Sequence, residues 1–272
     1  MDKTIIISVL SMAGLGGFFA LVLAIANQKL HVKEDPRVEK IEAALPGLNC
    51  GACGFPGCAA YARALAEGGA AANACVVGGA KAAQEIAEVL GIEACVVVKK
   101  LPIVHCGADR GQRTLSADYV GIRECKAANL VSGGGINCSY GCLGFGDCAS
   151  ACPQDVIRMV DGLPQVNLDE CIGCGKCVSA CPRRIISMEE VNKDRMMLVA
   201  CNSKDKCPVV RKACPVGCIG CGLCAKLSGG IFIMEGKLAL VDYAKVNELG
   251  DWEMVAGKCP TKAIKIEKEA KG

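Results

Sequence analysis

The chemistry open to this chain lies in its cysteines. Residues 171–182 read CIGCGKCVSACP and space Cys171, Cys174, Cys177 and Cys181 as C-x2-C-x2-C-x3-C-P. Thiols so close together cannot pair with one another without strain, whereas three thiolates on one loop suit a cluster of iron and sulfide. Zinc uses paired C-x2-C knuckles rather than triple runs closed by Cys-Pro. The chain holds 22 cysteines in 272 residues and only 4% aromatics. Small domains with so few heavy core-formers need staples, and disulfides would require an oxidising compartment.

A related run lies upstream. GINCSYGCLGFGDCASACP keeps Cys142, Cys148 and Cys152 at the usual offsets, but Phe145 stands at the middle ligand position. Cys138, four residues before Cys142, is the expected replacement. In two-cluster ferredoxins the fourth cysteine of each run ligates the other cluster. One cluster is therefore expected on Cys138, Cys142, Cys148 and Cys181, and a second on Cys152, Cys171, Cys174 and Cys177.

The runs belong to an internal repeat. CPQDVIRM (152–159), CPRRIISM (181–188), SGGIFIM (228–234) and CPTKAIKI (259–266) each lead from the end of a motif into a short alternating apolar strand. Two such phases make one ferredoxin-like module, so two modules stand in tandem. The second is degenerate. CIGCGLCAKLSGG supplies Cys218, Cys221 and Cys224, with Ser228 in the place of the fourth cysteine. By the crossing rule the last ligand of that cluster is Cys259. The companion cluster would need position 228 and the three positions before Cys259. Those hold Ser228 and, within the series Val246, Leu249, Trp252, Val255, apolar side chains. One cluster is missing as a unit, and side chains are expected to fill its space.

A separate group precedes the modules. LPGLNCGACGFPGCAAYARALAEGGAAANAC spaces Cys50, Cys53, Cys58 and Cys75 as C-x2-C-x4-C-x16-C. Its glycines let the backbone wrap a compact object closely. AAYARALAEGG reads as a helix that returns the chain to Cys75, and AKAAQEIAEVLGI as a second helix. Sixteen cysteines are thus placed on four [4Fe–4S] clusters. Cys95, Cys106, Cys125, Cys201, Cys207 and Cys214 remain, and Cys106, Cys125, Cys201 and Cys214 are the candidate ligands of a fifth metal site.

The elements that position these groups begin with a membrane anchor. Residues 5–26 carry no charge, enough to cross a hydrocarbon core at 1.5 Å per residue. The run exceeds a signal-peptide core, although Ala24-Ile25-Ala26 resembles a cleavage site. Lys29, Lys33 and Arg37 follow it and only Lys3 precedes it, which puts the remainder on the cytoplasmic side. Gly14, Gly16 and Gly17 are suited to close approach by another membrane helix.

The expected fold class is α+β. It comprises a transmembrane anchor (1–28), a small helical [4Fe–4S] domain (33–92), a connecting segment (93–129), a two-cluster ferredoxin-like module (130–192) and a degenerate one-cluster module (200–268). A net charge of +3 argues against nucleic acid as a partner. No nucleotide loop of the G-x-G-x-x-G or G-x4-G-K-[ST] kind occurs in a suitable context, and the only histidines are His31 and His105.

In order, these motifs resemble the B subunit of the Rnf complexes, membrane-bound ferredoxin:NAD+ oxidoreductases coupled to Na+ or H+ translocation. The likeness covers the whole chain. HCG at 105–107 and YVGIRECKAANLVSGG resemble the longer clostridial and archaeal versions. Those versions usually carry a full eight-cysteine second module, so this sequence departs from them by one cluster. The resemblance implies an electron-transfer subunit of a translocating oxidoreductase with no catalytic site of its own. It also implies flavin and nicotinamide on partner subunits, and soluble ferredoxin as the electron donor. The alternative is a polyferredoxin relay of another membrane redox complex, hydrogenase-type or redox-sensor-reducing. Ferredoxins are commonly acidic, so a basic docking face is expected. Arg183 and Arg184 are the first candidates, and Lys204, Lys206, Arg211 and Lys212 a second set.

Overall fold

A computed structural model describes residues 3–30, 35–93, 98–191, 195–246 and 251–268. His31, Cys95 and Leu249 lie outside the described residues. Helix α1 (Lys3–Leu30) carries the uncharged stretch, and its segment Ile5–Asn27 is long and apolar enough to span a bilayer with none of it buried inside the protein. Around Gly14, Gly16 and Gly17 the helix surface is open.

The first globular unit consists of α2 (Pro36–Ala44), α3 (Cys58–Ala66) and α4 (Gly79–Leu90), with α2 packed against both others. Pro36 opens α2 where its missing N–H costs nothing, and the Asp35 side chain accepts from Arg37 N. Gly91 closes α4 in the left-handed conformation. Ile41, Tyr61, Leu65 and Ile86 form the core, and the Tyr61 hydroxyl donates to Ala71 O at 2.6 Å.

The remaining chain builds one topology twice. The first copy runs β1 (Leu101–Val104), α5 (Cys125–Leu130), a 3-10 turn (Ser132–Gly135), α6 (Asp147–Ser150), β2 (Ile157–Val160), β3 (Leu163–Val166), α7 (Lys176–Ala180) and β4 (Ile186–Glu189). The second runs β5 (Arg195–Val199), α8 (Cys207–Ala213), α9 (Leu223–Leu227), β6 (Phe232–Glu235), β7 (Leu238–Val241), α10 (Trp252–Gly257) and β8 (Ile264–Lys268). In each copy the first strand pairs antiparallel with the last, β1 with β4 and β5 with β8. The two middle strands form a hairpin, β2 with β3 and β6 with β7.

The likeness extends to single hydrogen bonds. His105 N donates to Ile185 O as Ala200 N donates to Ala263 O, and Asn167 N to Val156 O as Asp242 N to Ile231 O. The structure therefore starts the modules earlier than the sequence boundaries at 130 and 200. The stretch 93–129, read as a connector, supplies the first strand of module one. LPIV is too short, and too interrupted by proline, to announce a strand whose partner lies some eighty residues away.

The modules meet along their first strands. Ile103 of β1 packs with Met196 and Leu198 of β5. His105 Nδ1–H donates to Val199 O at 3.0 Å, which leaves Nε2 to accept from the Ser187 hydroxyl at 2.8 Å. One imidazole thus ties strand β4 of module one to strand β5 of module two.

Candidate metal centres

Among the described residues, five spaces are each lined by four cysteines. Cys50, Cys53, Cys58 and Cys75 surround the first, in the helical unit. Gly51 and Gly54 have φ of 75° and 87°, which side chains rarely adopt, so they let the loop curl around the space. Asn49 Oδ1 accepts from Cys58 N at 2.8 Å and pins the start of α3. Gly78 N donates to Cys75 Sγ at 3.4 Å.

Cys152, Cys171, Cys174 and Cys177 line a space in module one between α7 and β2. Gly173 N donates to Cys171 Sγ at 3.5 Å, and a Cβ on Gly173 would stand 2.7 Å from Lys100 O. Cys218, Cys221, Cys224 and Cys259 line the corresponding space of module two, beside Val199, Met234 and Ile264. Where the second cluster of module two would lie there is core instead. Trp252, Val255 and Val246 pack with Ile231, Phe232 and Leu238, and the buried Ser228 hydroxyl accepts from Phe232 N at 3.0 Å.

The other two rings exchange a ligand relative to the sequence expectation. Cys142, Cys148 and Cys181 are joined by Cys125, not by Cys138. Asp147 arranges this, because its two carboxylate oxygens accept from Cys125 N at 2.7 Å and Lys126 N at 3.0 Å. These bonds seat the first turn of α5 against α6. Phe145, at the vacated ligand position, packs edge-on against Tyr119 with ring centroids 5.6 Å apart. Cys138 instead lines a space with Cys106, Cys201 and Cys214, so the set Cys106, Cys125, Cys201 and Cys214 is not brought together. The signal that separates the two thiols is the repeat offset. Cys138 stands four residues before Cys142 as Cys214 stands four before Cys218, and Cys125 opens α5 as Cys207 opens α8. Cys207 is outside all five rings.

Arg183 is half-buried and turns its charge inward. Its guanidinium donates to Gly133 O (2.7 Å), Cys138 O (2.7 Å), Gly141 O (2.8 Å) and Asn129 Oδ1 (3.1 Å). It also lines the Cys125 ring. It is a clamp between two rings, with four of its five N–H donors already engaged inside the protein. Arg184 is exposed, as are Lys206, Arg211 and Lys212 on and beside α8, while Lys204 pairs with Glu235 at 3.4 Å.

Burial sets the character of these thiols. It pushes Cys142 and Cys148 up to about 12, and Cys177, Cys201 and Cys224 up to about 11. Cys75, Cys125, Cys138, Cys171 and Cys214 move the same way for the same reason. Such thiols are poor nucleophiles at neutral pH and lose their protons to solvent when a metal centre takes the protons' place on sulfur. A zinc ion would draw four sulfurs to about 2.3 Å from one point. Among the described residues no three Cys, His, Asp or Glu side chains converge in that way. Four thiols spread around a space, with peptide N–H groups aimed at sulfur, fit an iron–sulfur cluster.

Comparison with known proteins agrees with this chemistry. Residues 45–77 match the family described as "Putative Fe-S cluster", and residues 136–182 match the 4Fe-4S dicluster domain. The chain is similar to the B subunit of the ion-translocating oxidoreductase complex of Methanosarcina acetivorans, with 39% identity over 98% of this chain and 100% of that one. It is 41% identical to the B subunit of the Na(+)-translocating ferredoxin:NAD(+) oxidoreductase complex of Acetobacterium woodii, over 97% of this chain and 78% of the relative. The B subunit of the proton-translocating ferredoxin:NAD(+) oxidoreductase complex of Clostridium ljungdahlii is 42% identical over 97% and 93%. Ferredoxin-like modules behind an apolar N-terminal helix, and relatives matched almost end to end, lead to one conclusion: the chain belongs to the B-subunit family of ion-translocating oxidoreductase complexes of the Rnf type.

Proposed function

We propose that this subunit takes electrons from reduced ferredoxin and relays them to partner subunits of a membrane complex that reduces NAD+ and moves Na+ or H+. The observation that carries the reading is the set of four-cysteine rings, one in the helical unit that follows the apolar helix in the chain, two in the first module and one in the second. Four [4Fe–4S] clusters would be held by Cys50, Cys53, Cys58 and Cys75; by Cys125, Cys142, Cys148 and Cys181; by Cys152, Cys171, Cys174 and Cys177; and by Cys218, Cys221, Cys224 and Cys259. Such clusters supply one-electron chemistry at potentials set by burial, local charge and hydrogen bonds to sulfur. The chain's own part is to hold the thiolates, direct N–H groups at them and exclude water. The excess of Lys29, Lys33 and Arg37 over Lys3 supports a cytoplasmic position for the modules.

Ferredoxin docking falls to the exposed cations Lys206, Arg211 and Lys212, with Arg184 as a further contact. The test is stopped-flow bleaching of the anaerobically purified full complex by reduced ferredoxin. The Lys206→Glu, Arg211→Glu, Lys212→Glu triple variant should bleach on the order of tenfold more slowly at low salt, and the difference should close as salt rises. Equal rates at low salt would remove the docking face. Bleaching by dithionite but never by ferredoxin would remove ferredoxin as donor.

A further inference from the structure

The ring between the modules belongs to no motif of the usual spacing. Its ligands come from four separate segments: Cys106 after β1, Cys138 after the 3-10 turn, Cys201 after β5 and Cys214 at the end of α8. The pairs are nonetheless the same two positions of the repeat. Cys106 is the second residue past β1 and Cys201 the second past β5. Cys138 and Cys214 each stand four residues before the first motif cysteine of their module. Each module therefore contributes the same half-ring, and the halves meet where Ile103 packs on Leu198.

The surroundings have the features of the other four sites. Cys142 N donates to Cys106 Sγ at 3.4 Å and Ser203 N to Cys201 Sγ at 3.5 Å. Gly217 has no room for a side chain, since its Cβ would lie 2.5 Å from Val210 Cγ1. The wall is close-packed and small-sided, with Ala108, Ala200, Val210 and Ala213 all buried. The space is no smaller than those at the other four rings, so nothing in its size excludes the same occupant. The walls adjoin both modules' sites, because Cys142 belongs to the Cys125 ring and Gly217 precedes Cys218.

We propose that Cys106, Cys138, Cys201 and Cys214 hold a fifth [4Fe–4S] cluster, which joins the two modules both as a staple and as a step in the relay. This rests on the relay reading above and extends it to the seam. The four thiols release four protons to solvent as four iron–sulfur bonds form, and no oxidant or reductant is consumed in the ligation.

The test counts iron, acid-labile sulfide and zinc in the anaerobically purified full chain, and compares pairs of substitutions. Five clusters give ~20 iron per chain and four give ~16. Two alanine substitutions in one ring remove a single cluster, whereas two in different rings remove two. Cys138→Ala with Cys214→Ala should therefore lose ~4 iron, and Cys125→Ala with Cys214→Ala ~8. A loss of ~8 from the first pair, or ~4 from the second, would overturn the ring assignment. If the variants do not fold, the unsubstituted chain still decides. About 16 iron, with or without one zinc, would overturn the fifth cluster and leave the relay intact, and near-zero iron would overturn the relay itself. Integrated EPR intensity on stepwise reduction gives a second count of clusters that is independent of the metal analysis.

Discussion

Trp252→Ala tests how module two stands without its second cluster. Trp252 is 5% exposed and packs with Val246, Val255, Ile231, Phe232 and Leu238, the group that occupies the lost site. Truncating a buried Trp to Ala costs about 3–5 kcal/mol, because the transfer energy is lost and the cavity closes only in part. For a module of this size each kcal/mol lowers the melting temperature by roughly 4–8 °C, so a fall of roughly 12 °C or more is expected. The effect should be confined to module two. Heated anaerobically at a fixed rate, the variant should lose the EPR signal of the Cys218 ring first, while the Cys171 ring holds to its usual temperature. Trp252→Phe keeps an aromatic in the space and should fall less than half as far. If Trp252→Ala and Trp252→Phe melt within a few degrees of the unsubstituted protein, side chains are not what supports that half of the module, and the reasoning fails.

Three further outcomes follow from the same geometry. Ser228→Cys should leave the iron content unchanged, because Val246, Trp252 and Val255 offer no companion ligands; a gain of ~4 iron would contradict this. Arg183→Met should strip donors from three carbonyls and one amide. The cost is on the order of 4 kcal/mol, given about 1.5–3 for each hydrogen bond to a charged group and strong sharing among them. It should lower the midpoint potentials of the flanking clusters in an EPR redox titration, whereas Arg184→Met should leave them in place. Asp147→Ala removes the acceptor of two α5 amides. It should destabilise module one by about 1–2 kcal/mol and broaden the EPR signal of the Cys125 ring; an unaltered signal would show that Asp147 does not position that thiol.

How much of this was legible depended on distance along the chain. The apolar run of α1, the helices flanking Cys58 and Cys75, and the strands after each Cys-Pro phase are local patterns, and sequence alone suffices for them. Cys125 and Cys138 could not be sorted by the crossing rule, because both precede Cys142 and neither sits at a motif offset. Only the comparison with Cys207 and Cys214 in the second copy tells them apart. The β1–β4 pairing was hidden for another reason. Four residues containing a proline carry almost no strand signal until a partner some eighty positions away supplies the ladder. Arg183 looked like a surface cation because it follows a Cys-Pro turn, and nothing local reveals that four acceptors from residues 129–141 surround it.

The seam between the modules also bears on how such a chain can come about. Contact of like with like, Ile103 on Leu198 and half-ring on half-ring, is the pattern of an isologous dimer. A lone module carrying Cys106 and Cys138 presents an unfinished site that a second copy of itself would complete. Duplication and fusion would then convert a self-association into an internal joint without inventing a ligand, leaving each copy free to diverge elsewhere, as the Trp252 core has done. A fragment spanning 98–191, loaded with iron and sulfide, is accordingly expected to dimerise with one cluster shared between two chains; a strictly monomeric fragment would argue that the joint arose after fusion.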